Sequence, residues 1–401
     1  MTYNFTDIID RHGMDALAVD GIGSPSPMSP DAPQDGFTPI PMWVADMNFA
    51  TVPTIPQAII ERAKHPLYGY FSPSDEYFDS VIAWHTRYKH AQGLEAKHIV
   101  YENGVLGGVL ATLNVLASRG DSVLVHAPTY IGFEHSLTNA GFSIVHSPMH
   151  VDGGLFRIDY DAMEQLIVAH DIHVLVFCNP HNPTGRVWTK DEILRLVAVC
   201  EKHDVWIVSD EIWSDIILDG EHTPTQSVSE WAREHTAAFY APSKTFNLAG
   251  LVGAYGIIYN DWLRDRVVSE GSKVIYNAMN VLWEHAVIGA YSPEGAQWVR
   301  EMRDAVRNNI DYAYLHIEQS YPGVQVCKPQ GTYMLLLDCR EYCEQHGLSL
   351  RDLLQAGWAV GVGWQDAEPF QVPFGIRMNL ALPMSLVKEA FTRLDTYVFN
   401  R

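Results

Sequence analysis

Short apolar runs, each followed at once by a polar turn, recur along the middle of this 401-residue chain. Polar stretches with helical character separate them. The runs are residues 122–127, 174–178, 205–208, 237–241 and 254–259. Continuous apolar strands that alternate with helices are typical of a mainly parallel sheet buried on both faces. The chain is therefore predicted to be an α/β protein whose sheet is covered by helices.

One of the intervening segments carries a clear helix signal. Thr189 and Glu192 have the spacing of a capping box, in which each satisfies a backbone N–H of the other. Ile193, Leu196 and Cys200 follow with the spacing of one apolar helix face. A helix is therefore predicted to begin at Thr189 and to pack against the sheet.

The pattern changes after about residue 285. A long helical stretch around residues 298–314 leads into a short strand at residues 332–337. Residues 21–36 are rich in Pro, Ser, Gly and Asp, which predicts an exposed loop or arm. Three parts are predicted: an N-terminal arm with part of the small domain (residues 1–48), a large domain (49–284) and a smaller α+β C-terminal domain (285–401).

Charge and cysteine content limit the classes of partner. The net charge is −21, which argues against nucleic acid or an anionic membrane as a partner. Five cysteines, an odd and low number, indicate a reducing compartment, and no nearby His or Cys completes a zinc site. The N-terminus has no signal-peptide pattern, and no apolar stretch is long enough to span a bilayer. A cytoplasmic protein is expected.

Four chemically versatile residues come just after predicted strands: Tyr130, Asn182, Asp210 and Lys244. In open α/β sheets, ligands bind beyond the carboxyl ends of the strands, so these side chains are expected to share one site. A lysine at a buried strand end is costly unless its amine is neutral and engaged, as in a Schiff base with a carbonyl cofactor. Taken alone, Asp210 could also be a helix N-cap, and Asn182 a turn residue.

Five motifs in order carry a family resemblance. They are residues 41–47 (PMWVADM), 178–188 (CNPHNPTGRVW), 209–212 (SDEI), 241–251 (APSKTFNLAGL) and 331–333 (GTY). With them the chain resembles the fold-type I pyridoxal-phosphate (PLP) enzymes of the aspartate aminotransferase superfamily. Within that superfamily it looks most like the bacterial cystathionine β-lyases, the PatB-type C–S lyases. The resemblance implies a large domain with a mainly parallel sheet and a smaller α+β domain.

The resemblance also implies how PLP is held. Lys244 would bind it covalently as an aldimine and, once freed, move the substrate's Cα proton. Asp210 would pair with the pyridine nitrogen, and Asn182 would donate to the phenolic oxygen. Tyr130 would stack on the ring. Trp213 stands where the lyases usually have His, so it could stack or donate near the phenolic oxygen but could not titrate.

The phosphate of PLP is expected at a glycine turn that leads into a helix. Gly104, Val105 and Leu106 resemble the family's cradle of backbone amides, beside the Ser243 hydroxyl. In the family, the tyrosine at Tyr70 reaches the phosphate of the partner subunit. The resemblance therefore implies a homodimer with shared active sites, in which Tyr70 joins Lys244 and Asp210 as a catalytic residue.

Substrate recognition follows the same resemblance. Arg377 resembles the family's clamp on the substrate α-carboxylate, a planar task that suits a guanidinium. Ala45, in the first motif, is expected to contact the substrate. Two departures lie near the expected substrate entrance: Asn48 replaces the usual aspartate, and residues 363–370 lack the usual glycines.

These observations predict a PLP-dependent C–S β-lyase that converts L-cystathionine or other cysteine S-conjugates to thiol, pyruvate and ammonia. An aminotransferase on the same scaffold is the first alternative. The second is a PLP-fold protein with an added role in binding a regulator. The sequence leaves open the natural thioether and the balance between elimination and transamination.

Overall fold

A computed structural model describes residues 2–399 of the chain. Its strands are β1 (Ile40–Pro41), β2 (Ile99–Glu102), β3 (Ser122–Ala127), β4 (Ser143–Asp152), β5 (Leu155–Ile158), β6 (Val174–Cys178), β7 (Trp206–Asp210), β8 (Thr236–Tyr240), β9 (Ala254–Ile258), β10 (Gln325–Val326), β11 (Met334–Asp338), β12 (Val362–Gly363), β13 (Gln365–Asp366) and β14 (Gly375–Asn379). Its α-helices are α1 (Leu17–Asp20), α2 (Thr54–Ala63), α3 (Asp75–Tyr88), α4 (Val105–Leu116), α5 (Ile131–Ala140), α6 (Tyr160–Ala169), α7 (Lys190–Lys202), α8 (Glu230–His235), α9 (Pro242–Thr245), α10 (Asp261–Glu270), α11 (Val281–Ala290), α12 (Pro293–Ser320), α13 (Arg340–His346), α14 (Leu350–Ala359) and α15 (Met384–Leu394).

The central sheet has eight strands in the order β2-β9-β8-β7-β6-β3-β4-β5. The strands from β8 to β4 run parallel, whereas β9 is antiparallel to β8 and β2, and β5 is antiparallel to β4. Every residue of β6, β8 and β9 is buried, as continuous apolar strands require. The predicted fold class is confirmed, and each predicted strand is present within two residues of its expected bounds.

Helix α7 shows how local signals place one layer on this sheet. The Thr189 hydroxyl accepts a hydrogen bond from the Glu192 N–H at 3.2 Å, and the Glu192 carboxylate accepts one from the Thr189 N–H at 2.9 Å. The predicted capping box is therefore present. Ile193, Leu196 and Cys200 are fully buried, so the predicted apolar face is the one that packs.

A second sheet, antiparallel and in the order β10-β11-β14-β13, forms the smaller part with the long helix α12. The N-terminal segment joins this part, because β1 pairs in parallel with β12. The expectation of an exposed loop at residues 21–36 is only partly right. Ser29 is buried, and the Gln34 N–H donates to the Ala359 carbonyl at 2.9 Å, so the arm packs on α14. The division at residues 48 and 284 stays a prediction.

All five cysteines are free thiols, and Cys327 alone among them is not buried. Within residues 2–399, no helix combines the length and apolarity that crossing a membrane requires. Across the same range, no cluster of three or more His, Cys, Asp or Glu side chains has the arrangement of a metal site.

Candidate active site

A cavity of about 280 Å³ opens at the carboxyl ends of the parallel strands. Asp210 is the last residue of β7, and Lys244 lies in α9, directly after β8. Tyr130 follows β3, and Asn182 follows β6. Parallel strands end at the same edge of a sheet, which brings these distant positions together. Ten of the residues predicted for the site line this cavity: Ala45, Gly104, Val105, Leu106, Tyr130, Asn182, Asp210, Trp213, Ser243 and Lys244.

The Lys244 amine is held inside the cavity. Its Nζ donates to the Ala45 carbonyl at 2.9 Å, and the Tyr333 hydroxyl donates to the same oxygen at 3.0 Å. The amine lies 5.9 Å from the centre of the Trp213 ring. Burial, assisted by the positive charge of Arg377, lowers the pKa of Lys244 to about 8. A larger fraction of this amine is therefore neutral near pH 7 than for an exposed lysine, as a nucleophile or base requires.

Asp210 is buried and, within the described residues 2–399, forms no ion pair. One carboxylate oxygen accepts from the Ile212 N–H at 3.0 Å. Burial raises the pKa of Asp210 to about 7, against the opposing pull of the Lys244 charge. A buried carboxylate in this condition is stabilised by a group that brings a positive charge, and a protonated ring nitrogen is such a group.

An anion site adjoins these residues at the start of α4. Gly104 is the N-cap of this 12-residue helix and has a φ of +80°, a conformation that favours glycine. A side-chain carbon at this position would meet no atom within 4 Å, so the turn faces open space. The first amides of a helix carry no internal partner and attract anions. Together with the Ser243 hydroxyl, they form a site with the chemistry of a phosphate cradle.

Arg377 reaches the cavity through Asn182 and does not line it. From β14, its Nη1 donates to the Asn182 side-chain oxygen at 3.0 Å, and its Nη2 donates to the Trp43 carbonyl and the Gln365 side chain. The guanidinium stacks 4.4 Å from the centre of the Phe370 ring. Its Nε has no hydrogen-bond partner among residues 2–399, which leaves a buried donor for a carboxylate. Burial lowers the pKa of Arg377 to about 10, so it stays charged at neutral pH.

Tyr70 lies outside the cavity within the single chain. Its side chain is fully exposed, in the segment between α2 and α3. It borders a different cavity, which Tyr68, Glu102 and Asn277 also line. The chain alone therefore does not bring Tyr70 to Lys244.

Five further residues line the cavity that holds Lys244 and were not predicted: Asn103, Ile212, Ala249, Val252 and Gly253. The sequence could have indicated most of them, because they lie inside or next to the motifs that carry the family resemblance. Val252 has a φ of +44°, an uncommon conformation for a β-branched residue and one that tends to occur at functional sites. Gly253 is required by packing, since a side-chain carbon there would lie 2.3 Å from the Trp283 ring.

The family model described as aminotransferase class I and II matches residues 40–394. The chain belongs to this family. It is 32% identical over 317 residues to cystathionine beta-lyase PatB of Bacillus subtilis (strain 168), a match that covers 79% of this chain and 80% of that protein. The predicted family is therefore confirmed.

Solved structures that resemble this chain also come from PLP-bound enzymes. Cystalysin from Treponema denticola, which contains a pyridoxal 5′-phosphate cofactor, has a TM-score of 0.89 at 27% identity, over 99% of this chain and 98% of that one. The PLP-bound C–S lyase from Staphylococcus hominis has a TM-score of 0.88 at 27% identity, with the same coverage. The cavity of the present chain fits PLP, because it offers a carboxylate for a cationic ring nitrogen, an anion site for the phosphate and a half-buried lysine for the aldehyde.

Proposed function

We propose that this protein is a PLP-dependent C–S β-lyase. It would cleave L-cystathionine or another S-conjugate of L-cysteine, with water, to a thiol, pyruvate and ammonia. The observation that carries the proposal is the shared cavity of Lys244 and Asp210, in which burial moves both pKa values toward neutrality. The similarity to a cystathionine β-lyase over most of the chain supports the same conclusion.

PLP, when bound, withdraws electrons from the substrate and makes its Cα proton acidic and its Cβ–S bond labile. Lys244 would attach it, Asp210 would keep the ring nitrogen protonated, and Tyr130 would cover one ring face. The amides from Gly104 onward and the Ser243 hydroxyl would hold the phosphate. Each role requires only groups that already line the cavity.

Proton movement is assigned to Lys244. The amine is the basic side chain of the cavity, and its lowered pKa suits a group that takes a proton from Cα near neutral pH. Trp213 cannot titrate, so it assists through its ring face or its N–H. A thiol has a pKa of about 8.5, so its thiolate leaves readily and little acid catalysis is required at sulfur.

Substrate orientation is assigned to Arg377. Its guanidinium is held in place by Asn182, Gln365 and the Phe370 ring, while no side chain or backbone group in the described part of the chain pairs with its Nε. A substrate α-carboxylate would complete the hydrogen bonds of this buried cation. The carboxylate is thereby fixed relative to Lys244, which aligns the Cα–H bond for removal.

An aminotransferase is the second candidate, because the family takes its description from that activity. The two reactions differ in where the proton is returned. The discriminating experiment gives L-cystathionine to purified, PLP-loaded protein without any keto acid. We expect pyruvate and thiol in equal amounts over many turnovers, none with Lys244→Ala, and full activity with the exposed control Lys64→Ala. Conversion of the cofactor to its amino form without pyruvate would favour the aminotransferase.

The assembly and compartment also belong to the proposal. The full exposure of Tyr70, beside exposed Leu67 and Tyr68, supports a homodimer in which this segment contacts the partner's active site. Free thiols at all five cysteines are consistent with a cytoplasmic location.

A further inference from the structure

A short segment covers the Lys244 amine and is tied to several elements. This strap comprises residues 43–48. Its Ala45 carbonyl accepts from the Lys244 Nζ at 2.9 Å. On the side of the small sheet, the Arg377 guanidinium donates to the Trp43 carbonyl at 3.2 Å, and the Asn379 amide donates to the Val44 carbonyl at 2.7 Å. The strap therefore connects the antiparallel sheet to the active-site lysine.

The far end of the strap is fixed to the segment that carries Lys244. The Met47 N–H donates to the Asn247 side-chain oxygen at 3.0 Å, and the Asn247 amide donates back to the Met47 carbonyl at 2.9 Å. Asn247 has a φ of +59°, a conformation that asparagine tolerates better than most residues. These two hydrogen bonds link the strap directly to the segment that carries Lys244.

Arg11, from the N-terminal arm, binds the same end of the strap. It forms a two-pronged ion pair with Asp46, with Nη2–Oδ2 at 2.8 Å and Nη1–Oδ1 at 3.3 Å. Its Nη1 also donates to the Met47 carbonyl at 3.3 Å and to the Asn48 side-chain oxygen at 2.9 Å. The Arg11 and Asp46 side chains are 18% and 17% exposed, so the pair is largely shielded from water. A bidentate ion pair that is shielded from water contributes more stabilising free energy than an exposed pair does.

The ion pair between Arg11 and Asp46 also changes the electrostatic surroundings of the Lys244 amine. Arg377, Asp46 and Asp210 are the charged groups that act on the Lys244 amine, and the Tyr333 hydroxyl shares its acceptor. Arg11 offsets the charge of Asp46 through their ion pair. Asn48 is neutral where the family resemblance leads one to expect an aspartate, so Arg11 faces one carboxylate here and the two charges balance.

We propose that Arg11 is a positioning residue for Lys244: it fixes the strap whose Ala45 carbonyl holds the amine, and it offsets the charge of Asp46 beside that amine. The N-terminal arm would then be part of the active site's support. The proposal rests on the proposed function in taking Lys244 as the lysine that carries the cofactor.

The two members of the pair should act in opposite directions. Removing the Arg11 charge leaves Asp46 uncompensated, which favours the protonated form of the lysine nitrogen. Removing the Asp46 charge takes away a negative charge that acts on the amine, which disfavours the protonated form. A charged group close to an amine typically shifts the pKa of that amine by about 1 unit, or somewhat less when the charged group is partly solvated.

The test compares Arg11→Met, Asp46→Asn and Arg11→Lys. With PLP bound, the readout is the pH midpoint of the visible absorbance of the lysine–cofactor linkage. We expect a rise of about half a unit or more for Arg11→Met and a comparable fall for Asp46→Asn. Arg11→Lys should keep the midpoint but lower kcat/KM by about tenfold or more, because lysine cannot reproduce the fork that holds the strap.

The matched control is a second arm-to-body ion pair, Arg351 with Asp31, which is 3.1 Å long and half exposed. Arg351→Met should leave the midpoint and kcat/KM unchanged. A readout independent of the cofactor is the pH dependence of Lys244 acylation in the cofactor-free chain, followed by peptide mass spectrometry. The same opposite shifts are expected there, whether or not the protein proves to be a lyase.

Midpoints that stay at the wild-type value, or that move in the same direction in Arg11→Met and Asp46→Asn, would overturn the proposal. A lowered Tm with unchanged midpoints would reduce Arg11 to a structural residue. If Arg11→Met does not fold, the fall in Asp46→Asn and the unchanged midpoint in Arg11→Lys still decide the matter.

Discussion

Two side chains of the active-site cavity, the half-buried Lys244 and the buried Asp210, both have pKa values displaced from their ordinary range. Burial lowers the pKa of the lysine to about 8 and raises that of the aspartate to about 7. Each shift favours the neutral form, since a charge in a low-dielectric site lacks the stabilisation of water. A bound cofactor with a cationic ring nitrogen and an aldehyde would relieve both conditions at once.

The raised pKa of Asp210 leads to a stability prediction for the cofactor-free chain. Its folded pKa of about 7 lies above its ordinary value of 3.8. The unfolded chain therefore loses this proton first, and folding stability falls as the pH rises from about 4 to about 7. We expect Asp210→Asn to raise the free energy of unfolding at pH 8 by about 1–3 kcal/mol and to have little effect at pH 4.

Denaturant unfolding of the cofactor-free proteins at both pH values measures this effect. The exposed Asp35→Asn variant is the control and should match the wild type at both. An Asp210→Asn protein that is less stable at pH 8 would contradict the prediction. With PLP supplied, the same variant should lose activity, because the ring nitrogen would lose its proposed anionic partner.

At the scale of elements, helix α4 positions the anion cradle through its contact with the sheet. Gly108 lies against Phe239 of β8, and a side-chain carbon at Gly108 would lie 2.3 Å from that ring. The strand β8 leads directly into α9, which carries Lys244. The close approach of α4 to β8 therefore sets the distance between the proposed phosphate cradle and the lysine.

This contact predicts different results at two adjacent glycines of α4. Gly108→Ala should lower the free energy of unfolding by about 1–3 kcal/mol, because the helix must move off the strand. It should also weaken PLP binding, since the cradle moves with the helix. Gly107→Ala is the control: its nearest neighbour would be the Asn103 Cβ at 3.8 Å. That substitution should be neutral or stabilising by up to about 1 kcal/mol.

Thermal unfolding and PLP titration of the two variants provide the measurement. Equal losses of stability at Gly107 and Gly108 would show that the contact with Phe239 is not the cause.

At the scale of the whole molecule, the segment between α2 and α3 is unusually apolar for an exposed surface. Leu67, Tyr68 and Tyr70 all present their side chains to solvent. Exposed apolar clusters of this kind mark protein interfaces. The proposed dimer would cover them, and with two-fold symmetry both Tyr70 side chains would make the same proposed contact with the partner's cavity.

Mixed dimers provide the test of a shared site. Lys244→Ala and Tyr70→Phe should each have less than about a tenth of wild-type activity, because each removes a group that is proposed to touch the cofactor. After unfolding and refolding together, or subunit exchange, an equal mixture should recover up to about a quarter of the wild-type activity, since one site of each mixed dimer is intact. Tyr68→Phe alone should stay active. Mixed dimers that form without any recovery would exclude a shared site.

The local sequence was sufficient for the sheet and for the strand-end residues. Continuous apolar runs such as residues 174–178 form strands in almost any context that buries both faces, so their bounds could be predicted closely. The convergence of Asp210 and Lys244 followed from the common edge of parallel strands. The roles of Asn182, Tyr130 and Arg377 were expected from the family resemblance and stay predictions until they are tested.

The remaining features depend on contacts between residues far apart in the chain. Arg377 meets Asn182 across 195 positions, and Lys244 meets Ala45 across 199. Arg11 has no local signal of function, and its partner Asp46 lies 35 positions away. Local pattern encodes backbone propensity and burial, which act over a few residues. The pairing of side chains across the cavity arises only when the two sheets and the arm pack together, because such packing decides which polar groups are removed from water and must find one another.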